Sequence, residues 1–279
     1  MKKFTAQRIN EILLLYRNGL SLSKISSKLG IGKTSIYYHV RKRFGKKLRD
    51  VVVNESLREE LGEIIGAFAG DGNLSFYRKL YHYKITFYLS NYEDDYAKRL
   101  VKLILLVFNK KPYIWNSKKS NCILVSVYGK KICDTIKRFL TWENDKTFSV
   151  RLKDMNSLDK PFLIGFLNGL VNTDGAVNIP KKRVMFATIS KELRQQASKI
   201  LNGFNIPHCN YIVKGKNNKR DLYCFEIGSK NGVLMYKDLI GITNSYKMKQ
   251  LDRIKWCDRR ESNPRFELSP NIGKLVSCR

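Results

Sequence analysis

The chain has 279 residues, and its 53 lysines and arginines against 24 aspartates and glutamates give a net charge of +29. Hydrophobic residues make up 43% of the chain, which is enough for a buried core and excludes a disordered basic tail as the whole description. The longest apolar run, 103–108, is far shorter than the roughly 18 residues of a membrane helix. Because such a charge attracts polyanions, we expect a nucleic-acid partner and no membrane association.

The cysteines and histidines indicate the cellular compartment and limit the possible metal-binding and catalytic chemistry. The six cysteines contain no C-x-x-C pair, there are three histidines, and the first residues lack a secretory signal pattern. We therefore expect reduced thiols in an intracellular protein, cytoplasmic or nucleoid-associated, or organellar in a eukaryote. A zinc site or a histidine-based catalytic centre is not favoured by this small, scattered set.

The first 50 residues hold 13 basic and 2 acidic residues. Apolar spacing predicts helices at about 9–16, 22–29 and 33–44, with Gly30 in the turn between the last two. This is the pattern of a helix–turn–helix, in which a short turn sets a basic helix into the major groove of DNA. A three-helix bundle with solvated charges is the alternative. The candidate DNA-binding residues of the third helix are Lys33, Ser35, Tyr37, Tyr38, Arg41 and Lys42.

The remainder of the chain repeats one order of elements twice. Apolar helices at 57–70 and 161–173 each end in an Asp-Gly pair, and each is followed by two strands, a helix, two strands and a helix. We therefore predict an α+β fold of two pseudo-symmetric αββαββα halves that form a DNA-binding saddle, preceded by a small all-α domain. The predicted boundaries are 1–48 for the helix–turn–helix, 49–56 for a linker, 57–150 and 151–256 for the halves, and 257–279 for an irregular tail.

Apolar and polar residues alternate along the second strand of the first half. Helices are expected to cover the apolar face of each sheet and to leave the other face free. Two such faces side by side would form a basic saddle wide enough for duplex DNA, whereas an ordinary solvated sheet face is the alternative. The candidate DNA-binding residues of the first sheet are Lys84, Thr86 and Tyr88.

Glycines recur every four residues in the helix that opens each half. This spacing places them on one helix face, and since glycine costs about 1 kcal/mol relative to alanine in a helix, it indicates the close approach of a second backbone. Crossing the two faces would bring Asp71 and Asp174 together, and the glycines after them would let the chain turn sharply. The motif backbone positions are Gly66, Gly70, Gly72, Gly165, Gly169 and Gly175.

Paired carboxylates predict a metal centre. Two adjacent carboxylates repel each other, and a hard divalent cation offsets that repulsion. Mg²⁺ (or Mn²⁺) takes one or two carboxylates together with water and phosphate oxygens, which suits metal-assisted phosphodiester hydrolysis. One Asp-Gly pair alone is more often a helix-ending turn, but two matched copies in a basic chain favour Asp71 and Asp174 as metal ligands.

The two motifs read IIGAFAGDG over 64–72 and LNGLVNTDG over 167–175. They resemble the signature of the LAGLIDADG homing endonucleases, in the single-chain form with two motifs, over about residues 57–255. The resemblance implies a monomeric, site-specific double-strand DNA endonuclease with a long target site and a role in intron or intein mobility. It also implies that Asp71 and Asp174 are the catalytic acids that bind Mg²⁺, and an added N-terminal helix–turn–helix occurs in some members.

The same resemblance implies a supporting basic group. The segment SYKMKQL at 245–251 resembles the lysine-bearing helix start of the family, which makes Lys249 the catalytic candidate and Lys146 its first-half counterpart. Such a lysine would stabilise developing phosphate charge. Members of this family often carry a Gln or Lys on the second strand near the active site. The first-half position that aligns with it is Tyr88, and the second-half position is ambiguous between Ala187 and Thr188.

Two other functions stay open at this point. A DNA-binding transcriptional regulator that lost cutting would keep the helix–turn–helix, although loss of either acid would mark it and neither is lost. An RNA maturase that assists intron splicing could use the same free basic sheets, because these fit structured RNA as well as duplex DNA.

Overall fold

The computed structural model describes residues 4–44, 51–77, 82–117, 121–215 and 220–256. The chain divides into two compact units, Met1–Val51 and Val52–Arg279. The predicted tail at 257–279 lies outside the described residues. Within the described part of the chain, every helix is too short or too polar to cross a membrane.

The described part of the first unit contains three helices where the apolar spacing predicted them, α1 (Ala6–Arg17), α2 (Leu22–Leu29) and α3 (Lys33–Phe44). Their shared core has Ile12, Ile25 and Ile36 completely buried at its centre. Gly30 ends α2 with a φ of 61°, in the left-handed region that favours glycine. This residue sets the short turn into α3.

The first half of the second unit has the predicted αββαββα order. Its elements are α4 (Arg58–Ala69), β1 (Gly72–Tyr77), β2 (His82–Ser90), α5 (Asp94–Phe108), β3 (Tyr113–Ser117), β4 (Cys122–Tyr128) and α6 (Lys130–Phe139). A connection that the sequence did not predict follows, with a short hairpin around a single helical turn. It consists of β5 (Leu140–Thr141), α7 (Lys146–Ser149) and β6 (Arg151–Leu152), followed by a 3₁₀ turn at Met155–Ser157.

The second half repeats that order, which confirms the α+β fold of two similar halves. Its elements are α8 (Lys160–Asp174), β7 (Gly175–Asn178), β8 (Arg183–Thr188), α9 (Lys191–Gly203), β9 (Cys209–Val213), β10 (Leu222–Ile227) and α10 (Lys230–Leu239). Helix α11 (Ser245–Asp252) follows α10.

Each half contains one antiparallel four-stranded sheet, in the order β1-β2-β4-β3 and β7-β8-β10-β9. The predicted alternation on β2 is confirmed, because Ile85, Phe87 and Leu89 are each 1% exposed. Helices pack on this apolar face of the sheet. The residues that alternate with these apolar side chains lie on the opposite face, called the outer face here, where Tyr88 and Trp115 of the first sheet are exposed.

Helices α4 and α8 pack through their glycine faces. A Cβ atom added at Gly66 would overlap the backbone carbonyl of Phe166 and lie 3.0 Å from the backbone nitrogen of Leu170. From the other side, a Cβ at Gly165 would overlap the carbonyl of Glu59. The backbones are therefore in direct contact, and this close packing offsets the cost of glycine inside a helix.

The glycines that follow the two aspartates lie where the chain turns from helix to strand. Neither Gly72 nor Gly175 has a positive φ, and each is the first residue of a strand. A Cβ at Gly72 would lie 2.6 Å from the Cα of Phe68, and one at Gly175 would lie 2.7 Å from the Cα of Val171. The chain therefore needs glycine here because the strand starts against its own preceding helix, and not because of a left-handed turn.

Candidate metal centre and nucleic-acid interface

The ends of α4 and α8 bring Asp71 and Asp174 to one place. Asp71 is the last residue before β1, and Asp174 is the last residue of α8. A Cβ at Gly70 would lie 3.2 Å from the carboxyl carbon of Asp174. Asp71 is half-buried and Asp174 is exposed. Among the described residues, neither carboxylate accepts a hydrogen bond, so both are free to bind a ligand.

Both carboxyls resist ionisation. Desolvation, and then the charges of Asp174 and Glu93, raise the pKa of Asp71 to about 7. Although Asp174 reaches solvent, the helix ends around it desolvate its carboxylate, which raises its pKa against the opposing charges of Lys146 and Lys247. Two close carboxylates of this kind favour either a shared proton or a cation between them.

A lysine caps the C-terminal end of each of the two motif helices, α4 and α8. Burial lowers the pKa of Lys146 to about 8 and also lowers the pKa of Lys247. Cations at these positions face the negative end of the helix dipole. Each Nζ donates to three backbone carbonyls: those of Phe68, Ala69 and Gly70 for Lys146, at 2.8, 3.0 and 2.5 Å, and those of Val171, Asn172 and Thr173 for Lys247, at 3.1, 2.7 and 2.7 Å.

The structure places Lys247, and not Lys249, in the position expected of the second-half lysine. Lys247 is 7% exposed, whereas Lys249 is exposed on the outside of α11. Two residues along a helix lie on different faces, so only one of these lysines can point inward. The signal that separates them is the buried Leu251, because Lys247 precedes it by one helical turn and shares its face.

A buried carboxylate that local sequence pattern does not reveal lies beside Lys247. Glu93 is 6% exposed, and its Oε1 lies 3.9 Å from the Nζ of Lys247. Its Oε1 accepts a hydrogen bond from the Asn244 amide at 2.7 Å, and its Oε2 accepts one from the backbone nitrogen of Ser90 at 3.0 Å. No local motif marks this contact, since Glu93 and Asn244 lie in different halves of the sequence.

Of the outer-face residues predicted on β2, the structure leaves two available. Tyr88 is 43% exposed and lies next to the candidate metal centre, because its backbone nitrogen donates to the carbonyl of Asp71 at 3.1 Å. Lys84 is half-buried. Thr86 is not available as expected: it is 3% exposed and its hydroxyl bonds to that of Ser126 at 3.1 Å.

Strand register resolves which second-half residue corresponds to Tyr88. Gly72 pairs with Phe87, and Gly175 pairs with Phe186. The residue that follows each of these partners is Tyr88 in the first half and Ala187 in the second. Ala187, and not Thr188, is therefore the equivalent of Tyr88.

The first unit presents most of its predicted contact residues to solvent. The exposed ones are Lys33, Tyr37, Tyr38, Arg41 and Lys42, whereas Ser35 is half-buried. All lie on α3, where Tyr38 and Lys42 lie opposite the core residues Ile36 and Val40. The arrangement leaves a basic and aromatic helix face free.

Comparison with known proteins places this geometry among related folds. Residues 161–241 match the family model of the LAGLIDADG-like domain. A DNA polymerase of Thermococcus kodakarensis is 23% identical over 273 residues, and the match covers 91% of this chain but only 15% of the polymerase. The replication factor C small subunit of Methanocaldococcus jannaschii is 27% identical over 231 residues, which are 81% of this chain and 12% of that protein. The chain therefore spans less than a sixth of these relatives.

A solved homing endonuclease structure shares the fold. The homing endonuclease I-DmoI, in a crystal structure with DNA and Ca, is 18% identical with a TM-score of 0.51, and the match covers 66% of this chain and 90% of that chain. Full-length DUF199/WhiA from Thermatoga maritima is 21% identical with a TM-score of 0.49, over 71% of this chain and 59% of that chain. The chain thus contains a LAGLIDADG-like domain and has the fold of the LAGLIDADG homing endonucleases.

Proposed function

We propose that this protein is a site-specific double-strand DNA endonuclease that hydrolyses one phosphodiester bond in each strand, with Mg²⁺ or Mn²⁺ held by Asp71 and Asp174. The observation that carries the proposal is the pair of desolvated carboxylates where the two motif helices cross, which accept no hydrogen bond from the described residues. Structures of I-DmoI contain DNA together with Ca or Mn, which supports the same partners for this fold.

The donor set fits a hard divalent cation that keeps most of its water. Within the described residues, no group of three or more histidine, cysteine, aspartate or glutamate side chains could hold a metal ion. Two aspartates alone leave the remaining positions to water and to phosphate oxygens, as Mg²⁺ prefers. When bound, such an ion lowers the pKa of a water and offsets the charge of the attacked phosphate.

The lysines act through their charge. An ammonium group has three N–H donors, and all three of Lys146 and of Lys247 bond to carbonyls at a helix end. Neither lysine therefore has a proton to spare as a general acid. Their charges offset the negative helix ends and lower the cost of bringing two carboxylates and a phosphate together.

Two surfaces of the chain supply the contacts with duplex DNA. The outer faces of the two sheets flank the metal centre within one unit, and the exposed face of α3 presents a basic helix for the major groove. The net charge of +29 provides the non-specific attraction to phosphates. We expect the protein to act as a monomer, because each half contributes one aspartate to the same centre.

A cleavage selection tests the proposal. A long randomised duplex library is incubated with the protein and Mg²⁺, with EDTA and with the Asp71→Asn and Asp174→Asn variants. We expect recurrent cuts at one long sequence, absent with EDTA, and loss of cutting of at least one strand in each variant with binding retained. Asp134→Asn, which changes an exposed carboxylate on α6, is the matched control and keeps full activity.

The other outcomes separate the competing functions. Full double-strand cleavage by both aspartate variants would refute the metal assignment. Tight enrichment of one sequence without any cutting would indicate a DNA-binding regulator, which the exposed basic face of α3 would serve equally well. If duplex DNA is not enriched, structured RNA is the next ligand to test.

A further inference from the structure

The outer faces of the two sheets differ in chemistry. In the first sheet, the described residues of that face include no acid and one lysine. Lys84 lies with its Nζ 5.9 Å from the centre of the Tyr128 ring. The exposed aromatic residues of this face are Tyr77, Tyr88, Tyr113, Trp115 and Tyr128. Such a face offers apolar contact and one positive charge.

The second sheet carries an ion pair on the equivalent face. Val184 and Phe186 of β8 and Phe225 and Ile227 of β10 point into the core and are at most 1% exposed. The residues that alternate with them therefore point outward. They include Arg183 and Glu226, and the Nη1 of Arg183 donates to the Oε1 of Glu226.

Strand register shows what stands at the same places in the first half. Arg183 lies three residues before Phe186, as Lys84 lies three residues before Phe87, so these two basic residues are equivalent. Glu226 pairs with Met185, and its first-half equivalent, Ser126, pairs with Thr86. The second half therefore differs by a carboxylate where the first half has a hydroxyl.

A carboxylate on a face that meets DNA calls for an explanation. It repels phosphates, and a partly exposed ion pair contributes little to stability. Arg183 and Glu226 side chains are 39% and 18% exposed, so neither is a core residue. The donor on DNA that a carboxylate suits is the amino group of cytosine in the major groove, and the acceptors that suit an arginine fork are O6 and N7 of guanine.

We propose that Arg183 and Glu226 together read one G·C base pair in the major groove of the half-site under the second sheet. Arg183 donates to guanine O6 and N7 with the N–H groups that Glu226 does not use, and Glu226 accepts from cytosine N4 while it orients the guanidinium. The inference rests on the proposed function for its partner, duplex DNA. It adds a base-specific contact to one half that the other half lacks.

The surroundings of the pair fit this role. Arg183 and Glu226 line an open depression together with Asn178, Lys181, Met185 and Tyr211. The depression lies three residues along β8 from Phe186, which pairs with Gly175 beside the metal centre. At about 3.3 Å per residue, the contact lies roughly 10 Å to one side of the centre, where it can select sequence without touching the cleaved bonds.

A binding selection tests the inference separately from cleavage. A duplex library is selected with Ca²⁺ in place of Mg²⁺ on the wild type, Glu226→Gln, Arg183→Lys and, as the matched first-sheet variant, Lys84→Arg. We expect the wild type to prefer G·C at one position of one half-site. Both second-sheet variants should lose that preference by roughly 5- to 100-fold and keep the other positions, whereas Lys84→Arg should leave this position unchanged.

Each result decides the inference. An unchanged preference profile in Glu226→Gln and Arg183→Lys, or weakening that is uniform over all positions, would overturn it. Failure of the wild type to select any duplex would overturn both this inference and the proposed partner. Sequence-selective binding by a protein that cuts nothing in Mg²⁺ would refute the endonuclease and leave the base-pair contact in place. Unchanged thermal unfolding of the variants excludes misfolding as the cause.

Discussion

The two motif helices end in the same way but in different surroundings. Lys146 and Lys247 each cap three carbonyls at the end of a motif helix. The residue before α5 in the first half is the carboxylate Glu93, and the corresponding residue before α9 in the second half is Ser190. Glu93 contacts the segment that carries Lys247, whereas the hydroxyl of Ser190 donates to the carbonyl of Val150, near Lys146, at 2.8 Å.

This difference shows which contacts of the shared centre are constrained by backbone geometry. The glycine contacts and the lysine caps involve backbone atoms, so both halves must satisfy them in the same way. The side chains around the lysines meet no such demand. The two halves of the centre are therefore alike in their backbone contacts and differ in their electrostatics, because an additional buried carboxylate lies beside Lys247.

The largest expected effect concerns the symmetric part. Gly66→Ala and Gly165→Ala should each lower the free energy of unfolding by more than about 3 kcal/mol, since each methyl group would overlap a carbonyl of the opposing helix. Urea denaturation monitored by circular dichroism measures this. The two losses should be similar, because each helix presents glycine to the other.

Gly203→Ala provides the control for that prediction. A Cβ at this position in α9 would meet nothing within 4 Å, so the variant should match the wild type or be more stable by up to about 1 kcal/mol. If Gly66→Ala and Gly165→Ala behave like Gly203→Ala, the two helices do not pack as closely as described.

The next effect separates the two aspartates by pH. In the unfolded chain Asp71 ionises near pH 3.8, and in the folded protein its pKa is about 7. The unfolded state therefore ionises first, so the native state loses stability as the pH rises from about 4 to 7, and the loss is complete above pH 7. In EDTA at pH 8, Asp71→Asn should be more stable than the wild type by roughly 2–4 kcal/mol.

This gain should shrink as the pH falls towards 4, where both states of the wild type are protonated. Asp174→Asn should show a smaller gain, because the charge of Glu93 raises the pKa of Asp71 but is not among the causes for Asp174. Unfolding free energies measured at four or five pH values check this. A pH-independent difference for Asp71→Asn would show that its carboxyl is not desolvated in the folded state.

Substitutions of the two lysines should also differ in how much stability they cost. Lys146→Met removes the cap of three carbonyls and should cost about 1–2 kcal/mol. Lys247→Met removes an equivalent cap and also leaves the buried Glu93 without its cation, so we expect a loss of about 3 kcal/mol. In a double-mutant cycle, Glu93→Gln should recover about 1 kcal/mol in the Lys247→Met background and nothing in the Lys146→Met background.

Much of this architecture could be predicted from local pattern. Alternation at Ile85, Phe87 and Leu89 identified a sheet with one free face, and four-residue glycine spacing identified the helix crossing with its two aspartates. These features repeat over a few residues, so a short window contains them. The same reasoning failed where a side chain depends on distant neighbours. Thr86 has the right alternation for the free face, yet its bond to Ser126 and the side chains around it bury it.

The buried lysine of the second half is hidden from local pattern for the same physical reason. Choosing Lys249 over Lys247 required knowing which face of α11 is buried, and that depends on packing against the other half. Glu93 could not be found at all, because its partners Asn244 and Lys247 come from the end of the second half. Long-range polar contacts of this kind have no sequence period, so only the folded chain reveals them.

The smallest expected effect tests whether the electrostatic difference reaches the chemistry. If the protein cuts both strands, Glu93→Gln should change the rate for one strand several-fold and leave the other within about twofold, since the neutral amide removes the anion that holds Lys247 but leaves Lys146 untouched. We expect the affected strand to be cut more slowly, because Lys247 is then held by backbone carbonyls alone.

Single-turnover cleavage of a duplex labelled separately on each strand measures the ratio of the two rates, and Ser190→Ala, at the equivalent position of the other half, should leave that ratio unchanged. Equal slowing of both strands would mean that Glu93 only supports the fold, and the two halves of the centre would then be equivalent in chemistry despite their different surroundings.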